Sequence, residues 1–288
     1  MLDLIQATPG LALGLALVFG LLVGSFLNVV ILRLPPWLEW EWRKTSREML
    51  ELPEPYEPAP PGIVVQRSAC PKCGHKLAPW ENIPVLSWLA LRGRCRGCGG
   101  AISIQYPVVE LVTGLLFAAC VWRFGATPEA LAAMVFTGFL VALAGIDLRT
   151  TLLPDQLTLS LLWIGLGLST VTLFTSPSQA IFGAMAGYLS LWTVYKLFKW
   201  LTGKEGMGYG DFKLLAALGA WCGATAILPI VLISSLIGAV VGTLWITWRG
   251  ADRATPIPFG PYLAAAGWVQ LLWGAQLIQA YRDISGLN

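Results

Sequence analysis

The sequence predicts an all-α polytopic membrane protein of about eight transmembrane helices, with a cytoplasmic zinc-ribbon-like module between helices one and two. Three observations predict it. Across 288 residues the chain is 56% hydrophobic and only 12% charged, with a mean hydropathy of +0.67, which excludes an ordinary soluble domain. The apolar residues gather into runs close to the roughly 20 residues that a bilayer crossing requires. The polar residues gather as well, between 35 and 105, where four of the six cysteines stand as two CxxC pairs.

Taken in order, the extreme N-terminus carries Asp3 and no Lys or Arg, so it lacks the basic start of a cleavable signal peptide. Leu11 to Leu34 is the first apolar segment, and it closes on Arg33, Pro35 and Pro36. Gly20 and Gly24 give it a small-residue face for close helix packing, while Ser25 and Asn28 need polar partners at membrane depth. Pro36 to Leu52 interleaves Trp and Leu with Glu, Arg and Lys, the pattern of an amphipathic surface helix. Pro53 to Gly62 reads as an extended proline-rich linker, and 63 to 105 as the polar module. Further apolar segments are expected at about 106–124, 128–147, 156–175, 179–201, 212–225, 227–248 and 259–280. The sixth of the eight segments, 212–225, is short and follows a glycine-rich break. Gly183/Gly187 and Gly238/Gly242 repeat the small-residue spacing. The expected domains are 1–34, a first transmembrane helix; 35–105, a cytoplasmic module; and 106–288, a seven-helix membrane domain.

Charge sets the expected orientation. Ten of the 19 Lys and Arg, from Arg33 to Arg96, lie between the first two segments. Arg149, Lys196, Lys199, Lys204, Lys213, Arg249 and Arg253 fall beside loops of the same side, and only Arg123 and Arg282 fall opposite. By the positive-inside rule that side is cytoplasmic and both termini face out.

Cys70-Pro71-Lys72-Cys73-Gly74 and Cys95-Arg96-Gly97-Cys98-Gly99 are turns that present paired thiolates to one tetrahedral metal, and their separation approaches zinc-ribbon spacing. Two disulfides are disfavoured in a reducing cytoplasm. Four protein ligands leave no open position, so a zinc ion held there is structural. His75, the single histidine, is superfluous to a four-cysteine site. A redox CxxC is the competing reading. Nucleic acid is not an expected partner, since Arg92, Arg94 and Arg96 follow the positive-inside bias.

Chemistry is carried by two acids. Asp211 ends the stretch Gly206-Met207-Gly208-Tyr209-Gly210-Asp211, where a glycine-loosened backbone meets an apolar helix. Capping that helix is the plain alternative. Asp147, in Gly145-Ile146-Asp147-Leu148-Arg149, stands at the end of another apolar segment, where capping does not explain it. Ionisable groups at membrane depth are costly, and a pair of them marks a functional site. Two carboxylates sharing a proton match aspartic proteases, in which one acid activates water and the other polarises the peptide carbonyl. The helix dipoles assign the ionised role to Asp211 and the protonated role to Asp147. No histidine triad and no HExxH is present to compete. Asp155, expected to cap the next helix, is the rival third acid, and Glu110 is either part of a buried polar network or functional.

These residues resemble the bifunctional type IV prepilin peptidases, GxGD-type membrane aspartic proteases, almost end to end. The resemblance runs through Gly24-Ser25-Phe26-Leu27-Asn28-Val29-Val30 with Arg33-Leu34-Pro35, the two CxxC pairs, and Glu81-Asn82-Ile83-Pro84-Val85-Leu86-Ser87-Trp88. It continues through Ile102-Ser103-Ile104-Gln105-Tyr106-Pro107, Ile146-Asp147 with Leu153-Pro154-Asp155, and Gly206 to Lys213. It implies a bacterial inner-membrane enzyme that cleaves the basic leader from type IV prepilins and type II secretion pseudopilins. It further implies methylation of the new N-terminal residue with S-adenosylmethionine, and it matches Asp147 and Asp211 to the catalytic pair. No GxGxxG follows a strand, so the methyl-donor site would lie on the first helix and the cytoplasmic module, with residues unassigned. The rival classes are a proton- or ion-coupled transporter with a zinc-bound regulatory module, and an inactive scaffold of a secretion machine. Neither acid is expected at the bilayer midplane and no internal repeat is visible, which weighs against transport.

Overall fold

The protein, described here from a computed structural model, is seen at residues 8–53, 57–63, 66–249 and 258–285. Asp3, residues 54–56 of the linker and Arg253 lie outside the described residues. The chain divides into two compact units, Met1–Ala142 and Leu143–Asn288.

The first unit is built on α1 (Pro9–Met49). Its 41 residues reach about 60 Å, twice the hydrocarbon core. The break expected at Pro35-Pro36 does not occur. Both prolines lie inside the helix, which carries the transmembrane run directly into the polar stretch expected to form a separate surface helix. Leu34, Pro35 and Leu38 are buried there, so packing of this face offsets the lost amide donors. After the linker come a 3-10 turn (Pro79–Asn82), the short helix α2 (Leu86–Ala90) and α3 (Gln105–Phe124). α1 and α3 meet at their small residues. A Cβ on Gly20 would come within 2.7 Å of the Gly114 Cα, and one on Gly24 within 2.7 Å of the Glu110 Cα. α4 (Pro128–Thr150) then leads into the second unit.

That unit contains α5 (Asp155–Ser169), α6 (Pro177–Thr202), α7 (Tyr209–Cys222), α8 (Ile227–Arg249) and α9 (Gly260–Ser285). α7 is its centre. Every residue from Asp211 to Trp221 except Lys213 is buried, as expected of a helix apolar on nearly all sides. Two devices seat it. The Trp221 indole donates to the Leu161 carbonyl at 2.8 Å. Gly183 of α6 and Gly219 of α7 also touch so closely that a Cβ on either would strike the other's carbonyl oxygen.

The expected count of eight spans is corrected. Among the described residues four helices are long and apolar enough to cross a membrane: Pro9–Met49, Gln105–Phe124, Pro128–Thr150 and Ala224–Trp245. α5 and α7, with 15 and 14 residues, reach only about 21–22 Å, short of the bilayer's apolar thickness. α6 and α9 are long enough, but Lys, Ser and Thr dilute the first, and Gln, Gly and Trp the second. The loop-by-loop charge tally presupposes eight crossings and falls with them. The ten basic residues around the cysteines do not depend on that count. The zinc-ribbon expectation is corrected too. No β-sheet occurs among the described residues, and the cysteine turns carry only the isolated bridges Ala69–Lys76 and Arg94–Ala101. What stands is an all-α polytopic membrane protein.

Candidate active site

Asp211 is the third residue of α7, and Gly208 holds the N-cap position. Its carboxylate lies toward the Gly208 amide at the start of the helix. The side chain is nevertheless only 8% exposed, deeper than a cap requires. The glycines before it are needed for close approach. A Cβ on Gly206 would come within 2.8 Å of the Phe198 ring, and one on Gly210 within 2.6 Å of the Leu153 Cβ. Positive φ is not the reason, since neither residue adopts it.

Asp147 is buried in the last turn of α4, 4% exposed. α4 runs on to Thr150, so Asp147 is not at the very end of its helix. Its Oδ2 accepts the backbone N–H of Gly260 at 2.8 Å. Gly260 opens α9, so the carboxylate of Asp147 faces the N-terminal pole of a second helix. The dipole contrast between the two acids therefore disappears, and with it the basis for assigning the ionised role to Asp211. Asp147 and Asp211 interact electrostatically within the second unit. Sequence reasoning misses Gly260; the signal is Pro258-Phe259-Gly260-Pro261 at the mouth of the last apolar run. A Cβ there would meet Asp147 Oδ2 at 2.7 Å and Leu153 Cδ2 at 3.0 Å.

Asp155 is engaged elsewhere. Pro154, not Asp155, takes the N-cap position of α5, and Lys213 Nζ holds both Asp155 oxygens at 2.6 and 2.7 Å. Glu110 lies in the first unit, buried, and accepts the Val85 amide at 2.7 Å.

The four cysteines do come together, each Sγ within 4.8 Å of the others. Cys70–Cys98 is 4.0 Å and Cys73–Cys95 is 3.9 Å, close to the about 3.8 Å edge of a tetrahedron with 2.3 Å metal–sulfur bonds. Two like turns make this possible. Gly74 donates to the Cys70 carbonyl and Gly99 to that of Cys95, each with φ near +70° (+72° and +69°), a conformation that suits glycine. The Lys72 amide, then that of Cys73, brings the Cys70 thiol down to about 6. For Cys73 the His75 amide works the other way, but the Cys98 thiol, desolvation and the other two thiols push it up to about 12. A cluster of this kind holds all four thiolates only with a cation among them. His75 is not in the cluster; its Nε2 pairs with Glu81 at 3.1 Å.

Comparison with known proteins decides the family. The chain is 61% identical to a prepilin leader peptidase/N-methyltransferase of Xanthomonas campestris pv. campestris, over 97% of this chain and 98% of that one. It is 52% identical to the protein of that name from Pseudomonas aeruginosa, covering 100% and 99%, and 52% to that of Aeromonas hydrophila, covering 98% and 97%. The chain belongs to the prepilin leader peptidase/N-methyltransferase family. The Bacterial Peptidase A24 N-terminal domain matches residues 18–124, and the Type IV leader peptidase family matches 134–243. No solved structure matches. In this prepilin leader peptidase/N-methyltransferase family member, Asp147 and Asp211 fall in the second matched region and the cysteines in the first.

Proposed function

We propose that the chain removes the leader peptide from type IV prepilins and type II secretion pseudopilins, using Asp147 and Asp211 as its catalytic pair, and then N-methylates the new N-terminal residue. It is a multi-pass protein of the bacterial inner membrane, and the substrate bond is met at the cytoplasmic face, where a prepilin's transmembrane helix gives way to its basic leader. The observation that carries the peptidase reading is the burial of two interacting carboxylates in one unit, one held by an amide of another helix.

The roles follow from the contacts. The Gly260 amide occupies and orients Asp147 Oδ2, leaving Oδ1 to take a proton from water as that water attacks the scissile carbonyl carbon. Asp211, crowded by Asp147, holds the shared proton and donates it to the carbonyl oxygen. When the C–N bond breaks, the departing amine takes the proton that Asp147 gained, and the carbonyl oxygen returns its proton to Asp211 as the C=O re-forms, so the dyad is restored. This reverses the roles expected from the sequence. Gly260→Ala should cut cleavage at least about tenfold in a folded protein, because the added methyl meets the carboxylate it should orient. Single-turnover cleavage with a thermal melt alongside checks this, and full activity would remove Gly260 from the machinery.

Asp155→Asn should leave cleavage within about threefold, since partly exposed ion pairs contribute little. Total loss in a well-folded Asp155→Asn protein, measured by the same assay, would make Asp155 one of the pair.

The thiolate cluster fits Zn²⁺, bound by Cys70, Cys73, Cys95 and Cys98 as a structural ion. For methyl transfer, S-adenosylmethionine supplies a methyl group on a cationic sulfonium. With no β-sheet among the described residues, a Rossmann cradle is not what holds it. The first unit offers buried acceptors that suit cations instead, and we assign the transfer to that N-terminal part and cleavage to the unit that follows.

A further inference from the structure

We infer that Ser25 and Asn28 of α1 and Glu110 of α3 form a receptor for the free α-ammonium group of a membrane-inserted apolar helix, the acceptor in N-methyl transfer. The inference rests on the methyltransferase reading above and names its substrate site.

Glu110 is buried to 7% exposure. Its carboxylate is met by the Val85 amide at 2.7 Å and by the Ser25 hydroxyl, and among the described residues no Lys or Arg pairs with it. Asn28 is 1% exposed. Its amide nitrogen donates to the Tyr106 carbonyl at 3.0 Å and the Gly24 carbonyl at 3.3 Å. Both partners are acceptors, so the amide orientation is fixed and Oδ1 is the end left over. That oxygen is buried without a partner, a costly arrangement unless a donor reaches it. Gly24 packs on the Glu110 Cα, and Asn28, one turn further along α1, reaches back to the Gly24 carbonyl, so the three side chains lie within about one helical turn of each other. Ser25 is half-buried and gives access from the surface.

The three groups offer an anionic oxygen, an amide oxygen and a hydroxyl oxygen, three acceptors for the three N–H bonds of an ammonium. The net charge of the cluster is that of one carboxylate, which an ammonium neutralises. An uncompensated carboxylate at this depth is costly and marks function. Val85 supports the reading. It is β-branched, yet its φ of +60° lies in the left-handed region such residues avoid, and its amide is bound to the carboxylate. An incoming ammonium that takes over Glu110 releases this strained contact.

The step balances. Glu110 accepts one proton from the ammonium, and the freed amine nitrogen forms the new N–C bond to the methyl carbon. The donor's C–S bond breaks with its electron pair staying on sulfur, and Glu110 passes its proton to water.

The test uses the full-length protein in nanodiscs and an apolar synthetic peptide of about 20 residues beginning with phenylalanine, either with a free amine or N-acetylated. Wild type should bind the free-amine peptide about tenfold or more tightly than the acetylated one, as a charge-assisted contact implies. Glu110→Gln, which keeps the shape and the acceptor for Val85, should abolish that preference and lower methylation at least about 100-fold, with prepilin cleavage within about twofold. Ser25→Ala should reduce the preference by about threefold and serves as the second variant if Glu110→Gln melts early. A folded Glu110→Gln protein that still prefers the free amine overturns the site, while leaving the methyltransferase reading intact if methylation persists. A wild-type protein that shows no preference also overturns it, and if it does not methylate the free-amine peptide either, the broader reading falls as well.

Discussion

Asn at Asp147 or at Asp211 is expected to lower prepilin cleavage by at least about 10³-fold, and the double variant to be little worse than either single one. General acid–base groups typically contribute about 10²–10⁴-fold each, and groups that act as a unit are strongly non-additive. Both side chains are buried and interacting, so an amide at one position removes the shared proton on which the other depends. The wild-type rate should fall on the acidic side as the dyad gains a second proton and on the basic side as it loses the shared one. Leader release from a purified prepilin, followed across pH, measures all of this. Additive losses, with the double variant about 10³-fold below the singles, would mean that the two acids act separately.

The second large effect concerns the cysteine cluster. Metal analysis should find about one zinc per chain, and stripping it, or Cys→Ser at 70, 73, 95 or 98, should unfold residues 63–105. The described residues of this segment carry little core of their own; Glu81, Pro84, Gly93 and Cys95 are buried there, while Trp80, Ile83, Leu86, Leu89 and Ile104 are exposed. A structural zinc supplies on the order of 10–16 kcal/mol in small domains, more than the few buried side chains among the described residues of this segment. Limited proteolysis with and without a chelator reads the outcome directly. Metal-free protein with two disulfides and an unchanged digestion pattern would overturn it.

The polar chemistry is legible in the sequence because it is rare there. In a chain with so few charges, Asp147 and Asp211 at the ends of apolar runs, and paired CxxC turns, stand out against the apolar background. The placement of Asp155 is harder to read, since its partner Lys213 is 58 residues away. Gly260 is invisible for a different reason. It acts through a backbone amide, and every residue except proline has one. The count of spans fails because hydropathy cannot distinguish a helix that crosses lipid from one enclosed by other helices. α7 is as apolar as a crossing helix and too short to be one, and its neighbours in the fold supply the apolar surroundings. The break expected at Pro35-Pro36 fails because α1 is held from outside by α3 and by its own buried face at Leu34 and Leu38. The glycines before Asp211 suggest looseness, whereas they admit Phe198 and Leu153.

The two prolines inside α1 have a meaning beyond continuity. Lacking N–H groups, Pro35 and Pro36 cannot serve the carbonyls of Ile31 and Leu32, four residues back. Inside hydrocarbon such oxygens find no substitute, so this turn must sit where water or a polar neighbour reaches the backbone. Together with Arg33 and the tryptophans and charges that follow, the prolines thus act as a depth gauge, marking where the helix leaves the hydrocarbon. Asn28 is seven residues below, about 10 Å by helical rise. A cleaved substrate helix that floats at its own hydrophobic depth would bring its first residue to that level without any part of the enzyme having to measure it.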